Sequence, residues 1–551
     1  MIDRRRFLHA GMAAAAAMSL APRATAQVKP TTVTGAHFVE VDTADGRLRG
    51  GTSRGALAFK GIPYAGLVSG ANRFKAPSPI IPWSGVRDAT RLGAPSLQKP
   101  NSTYGELEPA YAEDCLFLNV WTPAAGDGRK RPVMVYCHGG GYATGSAGST
   151  SQDGAKLAAT YDVVTVASNH RLGLLGYMYL GGLSDEYAAH ANPGLLDIIA
   201  CLQWVKRNIA AFGGNPDNVM IFGESGGGFK VGTLMAMPAA HGLFHKASIE
   251  SGAALRRMPK DVATETAVRV LKALDIAPNE LHRLADVPGQ AFVDFQLQAE
   301  QGLGPLATPR DGRMHTSDWQ AAQPGTYGPV VDGLVLPDHP FDPVATAVSA
   351  NVPLLIGHNR DEATFFNWGR PDTFGMGLYD LTLRLATEFG DDAVRLLSAY
   401  RAKLPGATPS DLYIAIASDR VFGYATAVTA DRKSAQPAPV YRYRMDYQSN
   451  FPIADGKAKM KAGHATEIPI KMLNDDIPGL QGDGPGLHAA SLNMSAMWTR
   501  FARDGKPSAP GAPDWPRYET AERAVMVIDS TCQIVHDPDA LTRPVWEAVA
   551  D

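Results

Sequence analysis

The chain has 551 residues, of which 45% are apolar and 19% charged, and its formal net charge is −3. This balance is typical of a globular protein with a large core, and no cluster of lysine and arginine interleaved with aromatic residues points to nucleic acid as a partner. Glycine and proline are spread along the chain without a repeat or a low-complexity linker, so we expect one large domain over residues 27–551.

The first 26 residues have the three parts of an export signal. Arg4, Arg5 and Arg6 form a basic start, residues 10–20 are apolar, and residues 24–26 are the small residues after which a signal peptidase cuts. The apolar part is too short to span a bilayer, which takes about 20 residues. The pattern resembles a twin-arginine (Tat) leader, with an alanine-rich helix as the alternative. We therefore expect residues 1–26 to be removed from a bacterial protein that is periplasmic or secreted and has no membrane anchor.

The pattern Gly-x-Ser-x-Gly occurs twice, and its context separates a catalytic serine from a turn. The first match, residues 51–55, lies between the short alternating segments 39–41 and 57–59. Two such segments around a glycine-rich stretch predict a hairpin. We expect Ser53 to be structural.

The second match, residues 223–227, follows the apolar run 218–222, which suits a buried parallel strand. Residues 229–237, which follow it, can form a helix. A strand that runs through a sharp turn into a helix holds a serine hydroxyl at the edge of the sheet. Ser225 is therefore the predicted nucleophile.

A second glycine-rich segment has the composition of an oxyanion loop. Residues 132–137 predict a buried strand, and His-Gly-Gly-Gly-Tyr follows directly at residues 138–142. Backbone N–H groups of such a loop, with that of the residue after the nucleophile, stabilise the negative charge of a tetrahedral intermediate. We predict an oxyanion hole formed by Gly140, Gly141 and Gly226.

Further segments occur in an order that one family shares. They are residues 59–65 (Phe-Lys-Gly-Ile-Pro-Tyr-Ala), 113–119 (Glu-Asp-Cys-Leu-Phe-Leu-Asn), 169–173 (Asn-His-Arg-Leu-Gly), 208–214 (Asn-Ile-Ala-Ala-Phe-Gly-Gly) and 329–333 (Pro-Val-Val-Asp-Gly). In these segments the chain resembles the type-B carboxylesterases, which include cholinesterases and bacterial para-nitrobenzyl esterases. The resemblance implies an α/β-hydrolase fold, with a large, mostly parallel central sheet flanked by helices, and ester hydrolysis without a metal or organic cofactor.

A serine nucleophile needs a histidine base, which a carboxylate orients, and in α/β-hydrolases the acid precedes the histidine in sequence. His464 lies among small residues that leave an imidazole accessible, and its segment resembles that of the family, so it is the predicted base. Residues 353–357 predict a buried strand shortly before Asp361 and Glu362. The residues alone do not separate these two carboxylates. The resemblance favours Glu362 as the acid.

The resemblance also marks Glu224 and Glu467 as supporting residues near the histidine, and it reveals departures from the family. Residues 93–98 contain no partner for Cys115, so we expect that cysteine to be free. The segment before Glu113 has no tryptophan of the kind that binds choline in cholinesterases. Cys137 and Cys201 are expected in the core, and Cys532 has no assigned partner.

We therefore expect a serine hydrolase that acts on small to medium uncharged esters. The same triad in an amidase, a thioesterase or a lactonase is the main alternative, because only the pocket would differ. A non-catalytic binding protein on this fold is a second alternative, which the retained Ser225, Glu362 and His464 disfavour. The natural substrate and the oligomeric state stay open.

Overall fold

The structure, a computed structural model, describes residues 38–99, 109–308, 312–316, 318 and 322–549. The predicted leader, residues 1–26, lies outside them. Within the described residues no helix is long and apolar enough to cross a membrane.

Seventeen strands are defined in the described residues. Their bounds are β1 Val39–Thr43, β2 Gly46–Ser53, β3 Ala56–Pro63, β4 Val86–Asp88, β5 Phe117–Thr122, β6 Arg131–Cys137, β7 Val164–Ser168, β8 Gly214–Glu224, β9 Lys246–Glu250, β10 Met258–Pro259, β11 Val330–Val331, β12 Leu354–Asn359, β13 Val440–Met445, β14 Ser449–Ile453, β15 Ala458–Lys461, β16 Ala524–Ile528 and β17 Gln533–His536.

Fourteen α-helices accompany them in the same part of the chain. Their bounds are α1 Ala155–Tyr161, α2 Gly173–Tyr177, α3 Pro193–Asn208, α4 Gly226–Leu234, α5 Lys260–Ala273, α6 Gly289–Glu300, α7 Ala363–Phe366, α8 Leu378–Phe389, α9 Ala393–Lys403, α10 Pro409–Ser418, α11 Tyr424–Ser434, α12 Glu467–Lys471, α13 Leu487–Asp504 and α14 Arg543–Ala548.

The main sheet has 13 strands in the order β1-β2-β3-β5-β7-β6-β8-β9-β12-β13-β16-β17, with β4 beside β2. Every pair from β7 to β16 in this order is parallel, and the pairs outside that block are antiparallel apart from β2 with β4. The large, mostly parallel central sheet that was expected for an α/β-hydrolase is confirmed.

Alternation along the buried strand β6 divides the core into two layers. Val133 and Val135 pack in one apolar cluster with residues of α3, while Met134 and Tyr136 pack in a second cluster with residues of α13. Successive side chains of a strand point to opposite faces, so a strand buried on both faces is apolar throughout. The sheet is thus covered by helices on both sides.

The chain leaves β6 for β7 on one side and then places β8 on the other side. Ligands of open α/β sheets bind beyond the carboxyl ends of the strands at such a switch point. Residues 138–142 follow β6 at this point, and Ser225 follows β8. The two segments singled out from the sequence therefore lie side by side at the carboxyl edge of the sheet.

Two sequence-based boundaries need correction. The helix after the predicted nucleophile begins at Gly226 rather than at residue 229 and ends at Leu234. The first Gly-x-Ser-x-Gly match does form a hairpin, but its first three residues belong to β2, and the turn consists of Arg54 and Gly55. Strand pairing across the hairpin holds these residues extended, which overrides the turn preference of glycine.

Candidate active site

Ser225 occupies a strained turn between β8 and α4. Its φ of 56° and ψ of −123° lie outside the regions that a residue with a Cβ ordinarily adopts. The turn is held on both sides, because the N–H of Ser225 donates to the carbonyl of Glu250 at 2.9 Å and its own carbonyl accepts from the N–H of Phe229 at 3.0 Å. The serine side chain is partly exposed at the top of the sheet.

Glycines around this turn allow two backbone segments to approach each other closely. A Cβ on Gly227 would lie 2.0 Å from the carbonyl oxygen of Cys137, and a Cβ on Gly226 would lie 2.2 Å from the carbonyl oxygen of Gly141. No side chain fits at such distances. The glycines therefore bring the start of α4 against the end of β6 and the loop that follows it.

The predicted oxyanion donors lie together at this contact. Gly140 and Gly141 have φ values of 81° and 62°, a backbone conformation that favours glycine. In the described residues, the amide N–H groups of Gly140, Gly141 and Gly226 make no hydrogen bond within the protein. Three unengaged donors beside Ser225 form the kind of site that stabilises a developing negative charge.

His464 is oriented by Glu362. Its Nδ1 lies 2.6 Å from Oε2 of Glu362, and both side chains are buried. The other oxygen of Glu362 accepts from the hydroxyl of Ser251 at 2.5 Å and from the N–H of Asn359 at 2.7 Å. These bonds fix the carboxylate, so the acid that orients the ring is itself held in place.

The neighbouring carboxylate, Asp361, points elsewhere. It interacts with the half-exposed guanidinium of Arg360 at 3.1 Å and with the side chain of Gln448 at 3.3 Å. The structure thus brings Glu362, and not Asp361, to His464. Sequence alone could not distinguish them, because the two residues are adjacent. The path of the backbone after β12 decides which of the two side chains points at His464.

The second ring nitrogen of His464 faces another carboxylate. Its Nε2 lies 3.2 Å from Oε1 of Glu224, a buried side chain whose oxygens make no hydrogen bond within the described residues. Burial raises the pKa of Glu224 well above its usual range. Burial alone would lower the pKa of His464, but the charges of Glu224, Glu362 and Glu467 outweigh it and raise that pKa to about 9.

The hydroxyl of Ser225 makes no hydrogen bond with the ring of His464 or with any other described group. Catalytic hydrogen bonds are often long or absent in enzymes without substrate and form in the reacting complex.

Aromatic rings enclose His464. Phe422 stacks on the imidazole with ring centroids 4.8 Å apart and an angle of 6° between the ring planes. Phe366 and Phe365 approach the same ring at 5.0 Å and 5.6 Å. Phe422 lies in a π-helical turn, Asp419–Gly423, between α10 and α11. These rings limit the movement of the imidazole and give the site an apolar wall.

Further buried charged side chains lie near His464. Glu467 accepts from the side chain of Asn359 at 2.5 Å, and burial raises its pKa to about 7 against the opposing charge of Lys471. Lys471 pairs with Glu250, which also accepts from the indole N–H of Trp498 at 2.6 Å. Glu224 and Glu467 therefore both lie close to His464, as expected from the sequence, although only Glu224 contacts its ring.

Sequence reasoning missed the two residues that hold Glu362. Ser251 and Asn359 are small polar residues that directly follow or end strands β9 and β12. This placement at carboxyl ends of parallel strands is the signal that could have identified them. Asn359 is the more informative, because it contacts both Glu362 and Glu467.

The described residues contain no group of three or more His, Cys, Asp or Glu side chains placed to hold a metal ion. All four cysteines are free. Cys115 is buried, and Cys137 and Cys201 are buried core residues as expected.

The chain is similar to known proteins over most of its length. A family model described as "Carboxylesterase family" matches residues 37–542. The chain is 34% identical over 517 residues to the para-nitrobenzyl esterase of Bacillus subtilis (strain 168), covering 91% of this chain and 97% of that relative. It is 32% identical over 519 residues to phenmedipham hydrolase of Pseudarthrobacter oxydans, with the same coverage of 91% and 97%. A carboxylesterase of Geobacillus stearothermophilus superposes with a TM-score of 0.77 at 36% identity, covering 92% of this chain and 99% of that structure.

Proposed function

The chain belongs to the carboxylesterase family, and on that premise we propose that Ser225, His464 and Glu362 hydrolyse carboxylic esters through an acyl-enzyme. The observation that carries this proposal is the short contact of 2.6 Å between Nδ1 of His464 and Glu362. It leaves Nε2 of the ring as the atom that takes up the serine proton, and a serine becomes a useful nucleophile only with such a base.

The reaction has two halves. In the first, Ser225 attacks the ester carbonyl as His464 accepts its proton, and the amides of Gly140, Gly141 and Gly226 bind the resulting oxyanion. Collapse of the tetrahedral intermediate breaks the bond to the alcohol, which leaves with the proton from His464. In the second half, water attacks the acyl-enzyme with the same proton transfers and releases the carboxylic acid. Glu362 keeps the ring oriented and stabilises its positive charge.

We expect small to medium uncharged esters as substrates. Phe422, Phe366 and Phe365 surround His464, and Tyr142 and Phe229 continue the aromatic wall with ring centroids 6.2 Å apart. Aromatic rings around the catalytic groups favour contact with the apolar, uncharged parts of a substrate. The name of one relative, a para-nitrobenzyl esterase, is consistent with ester substrates that carry an aromatic ring.

Hydrolysis of para-nitrophenyl acetate and butyrate by the protein without residues 1–26 tests the reaction. Ester turnover that is lost in Ser225→Ala and kept in Ser53→Ala supports the proposal, since Ser53 is the serine of the structural match. Comparison with the para-nitroanilides of the same acids separates an esterase from an amidase. A folded wild-type protein that is inert towards both esters would contradict the proposal.

We also propose that the predicted Tat leader exports the protein. Residues 27–551 are proposed to form a single domain. Replacing both Arg4 and Arg5 with lysine should retain the protein in the cytoplasm of a bacterial host, because the twin-arginine pair is the recognised signal. Fractionation of the host into cytoplasm and periplasm measures this. Unchanged periplasmic protein in the double variant would contradict the Tat assignment.

A further inference from the structure

A fully buried lysine lies under the oxyanion loop. Lys230 is in α4, four residues after Gly226, and its side chain is 0% exposed. Its Nζ donates to the carbonyl oxygen of His138 at 3.0 Å, the one hydrogen bond it makes to a described residue. His138 directly precedes the glycines of the loop, so the lysine forms a hydrogen bond with the first residue of the oxyanion segment.

The other end of the same loop is held by a second buried side chain. Gln98 accepts from the N–H of Gly145 at 2.8 Å and donates to its carbonyl oxygen at 2.9 Å. The loop that carries Gly140 and Gly141 is therefore fixed at His138 by Lys230 and at Gly145 by Gln98. Precise placement of these amides matters, because an oxyanion donor acts only when it already points at the developing charge.

The titratable groups that face Lys230 are neutral. Cys137 faces it from the end of β6, and burial raises the pKa of that thiol to about 12. His138 and His170 stack with ring centroids 4.4 Å apart, and burial together with the charge of Lys230 lowers the pKa of both rings well below their usual range. The charge of the buried carboxylate Glu250 contributes to the raised pKa of Cys137. Glu250 itself accepts hydrogen bonds from Lys471 and Ser248, and not from Lys230.

A charged ammonium group in this position destabilises the folded state. Burying a charge without an opposite charge is strongly unfavourable, and an apolar side chain of similar length would remove that penalty. The feature that only the lysine supplies is a hydrogen-bond donor with positive charge at the base of the oxyanion loop. A cation there attracts the negative charge that forms in the tetrahedral intermediate, and the attraction is large in a dry interior.

We propose that Lys230 is a positioning residue for ester hydrolysis, which fixes the oxyanion loop through the carbonyl of His138 and places a positive charge behind the oxyanion. This inference rests on the proposed function. It assigns Lys230 no contact with the substrate and no proton transfer. The lysine acts through the loop and through its charge.

The charge of Lys230 depends on pH in the physiological range. Burial lowers its pKa to about 7, so the ammonium is present below that pH and is lost above it. The part of the rate that depends on this charge is therefore largest on the acidic side. It disappears as the pH rises through 7, although the neutral amine can still donate to His138.

Lys230→Met tests the inference, with kcat and KM measured from about pH 6 to about pH 8.5 on para-nitrophenyl acetate. We expect kcat at the acidic end to fall about tenfold with little change in KM, because the lost interaction stabilises the transition state. The ratio of wild-type to variant kcat should then fall towards the alkaline end and level off above one, because the neutral amine of the wild type still donates to His138 there. The titration of His464 cancels in this ratio.

Lys433→Met is the matched control. Lys433 is also fully buried and donates to the carbonyl of Ser349 at 2.7 Å, but it lies in α11 outside the site. Its replacement should lower stability while the ratio of wild-type to variant kcat stays independent of pH. A loss of rate in both variants with the same pH dependence would overturn the inference, because it would reflect general damage to the fold.

Lys230→Arg covers the case in which the methionine variant does not fold. Arginine keeps its charge at all these pH values. The ratio of its kcat to that of the wild type should therefore rise as the pH passes 7, and a flat ratio overturns the inference. A folded Lys230→Met with wild-type kcat at all pH values also overturns it. If the wild type hydrolyses no ester at all, the proposed function fails before the role of Lys230 arises.

Discussion

Oε1 of Glu224 lies 3.2 Å from Nε2 of His464, on the opposite side of the ring from Glu362. Nε2 is the atom that accepts the proton of Ser225 in the proposed reaction. A buried carboxylate next to it stabilises the imidazolium that forms in the transition state. It also raises the pKa of the free histidine, so the base is protonated over a wider range of pH.

Glu224→Gln should therefore move the pH profile of ester hydrolysis. The pKa of His464 is raised to about 9, so activity falls as the pH falls through that value. Removing a charge within about 4 Å should shift the rising limb of kcat/KM to lower pH by about one unit. Glu467→Gln is the matched control and should shift it less, because Glu467 makes the smaller contribution to the pKa of His464. A limb that does not move in Glu224→Gln would contradict this role.

Comparing the activity of Glu362→Gln with that of Asp361→Asn tests which of the two adjacent carboxylates is the acid of the triad. The amide cannot replace the carboxylate that accepts from Nδ1 of His464, and loss of such an acid lowers kcat by about 10⁴-fold in a serine triad. Asp361→Asn should retain most of the activity, since Asp361 contacts Arg360 and not the histidine. Steady-state kinetics on one ester measures both. A larger loss in Asp361→Asn than in Glu362→Gln would reverse the assignment.

The sequence predicts the parts of the site that depend on local chain geometry. A strand, a sharp turn and a helix identify Ser225, and glycines after β6 identify Gly140 and Gly141. It does not predict contacts between residues far apart in sequence. The bond from Ser251 to Glu362 spans 111 positions, and that from Lys230 to His138 spans 92. Such pairs are set by the order of strands in the sheet, which local patterns do not encode.

The sequence likewise predicts some parts of the fold and misses others. The continuous apolar run of β6 and its place before a glycine-rich loop indicate a buried parallel strand, and the resemblance to a family supplies the fold class. The start of α4 at Gly226 was missed, because three consecutive glycines have poor helix propensity. Close packing against Cys137 and Gly141 favours the helical backbone there despite that propensity.

Gly227→Ala should disrupt the site. A Cβ at this position would lie 2.0 Å from the carbonyl oxygen of Cys137, so either α4 or the end of β6 has to move. Displacing oxyanion donors costs about 10²-fold or more in kcat. At Gly369 an added Cβ meets no atom within 4 Å, so Gly369→Ala is the matched control and should retain full activity. Wild-type kcat in Gly227→Ala would show that this contact is not required.

Lys471→Met should destabilise the protein more than a comparable change on the surface. Lys471 and Glu250 are both fully buried, and removing one member of such a pair costs about 3–5 kcal/mol because the other charge is left alone. Lys206→Met removes an exposed pair with Asp217 and should lower the stability far less, because water screens exposed charges. Thermal unfolding followed by circular dichroism measures both variants. Equal melting temperatures for the two variants would contradict the importance of the buried pair.

The proposed mechanism depends on acylation of Ser225, which covalent labelling detects. A fluorophosphonate probe should modify the wild-type protein, and peptide mapping by mass spectrometry should place the adduct on Ser225. Ser225→Ala should remain unlabelled although it is folded, because it lacks the hydroxyl that the probe modifies. An adduct on another residue, or equal labelling of Ser225→Ala, would contradict the proposed mechanism.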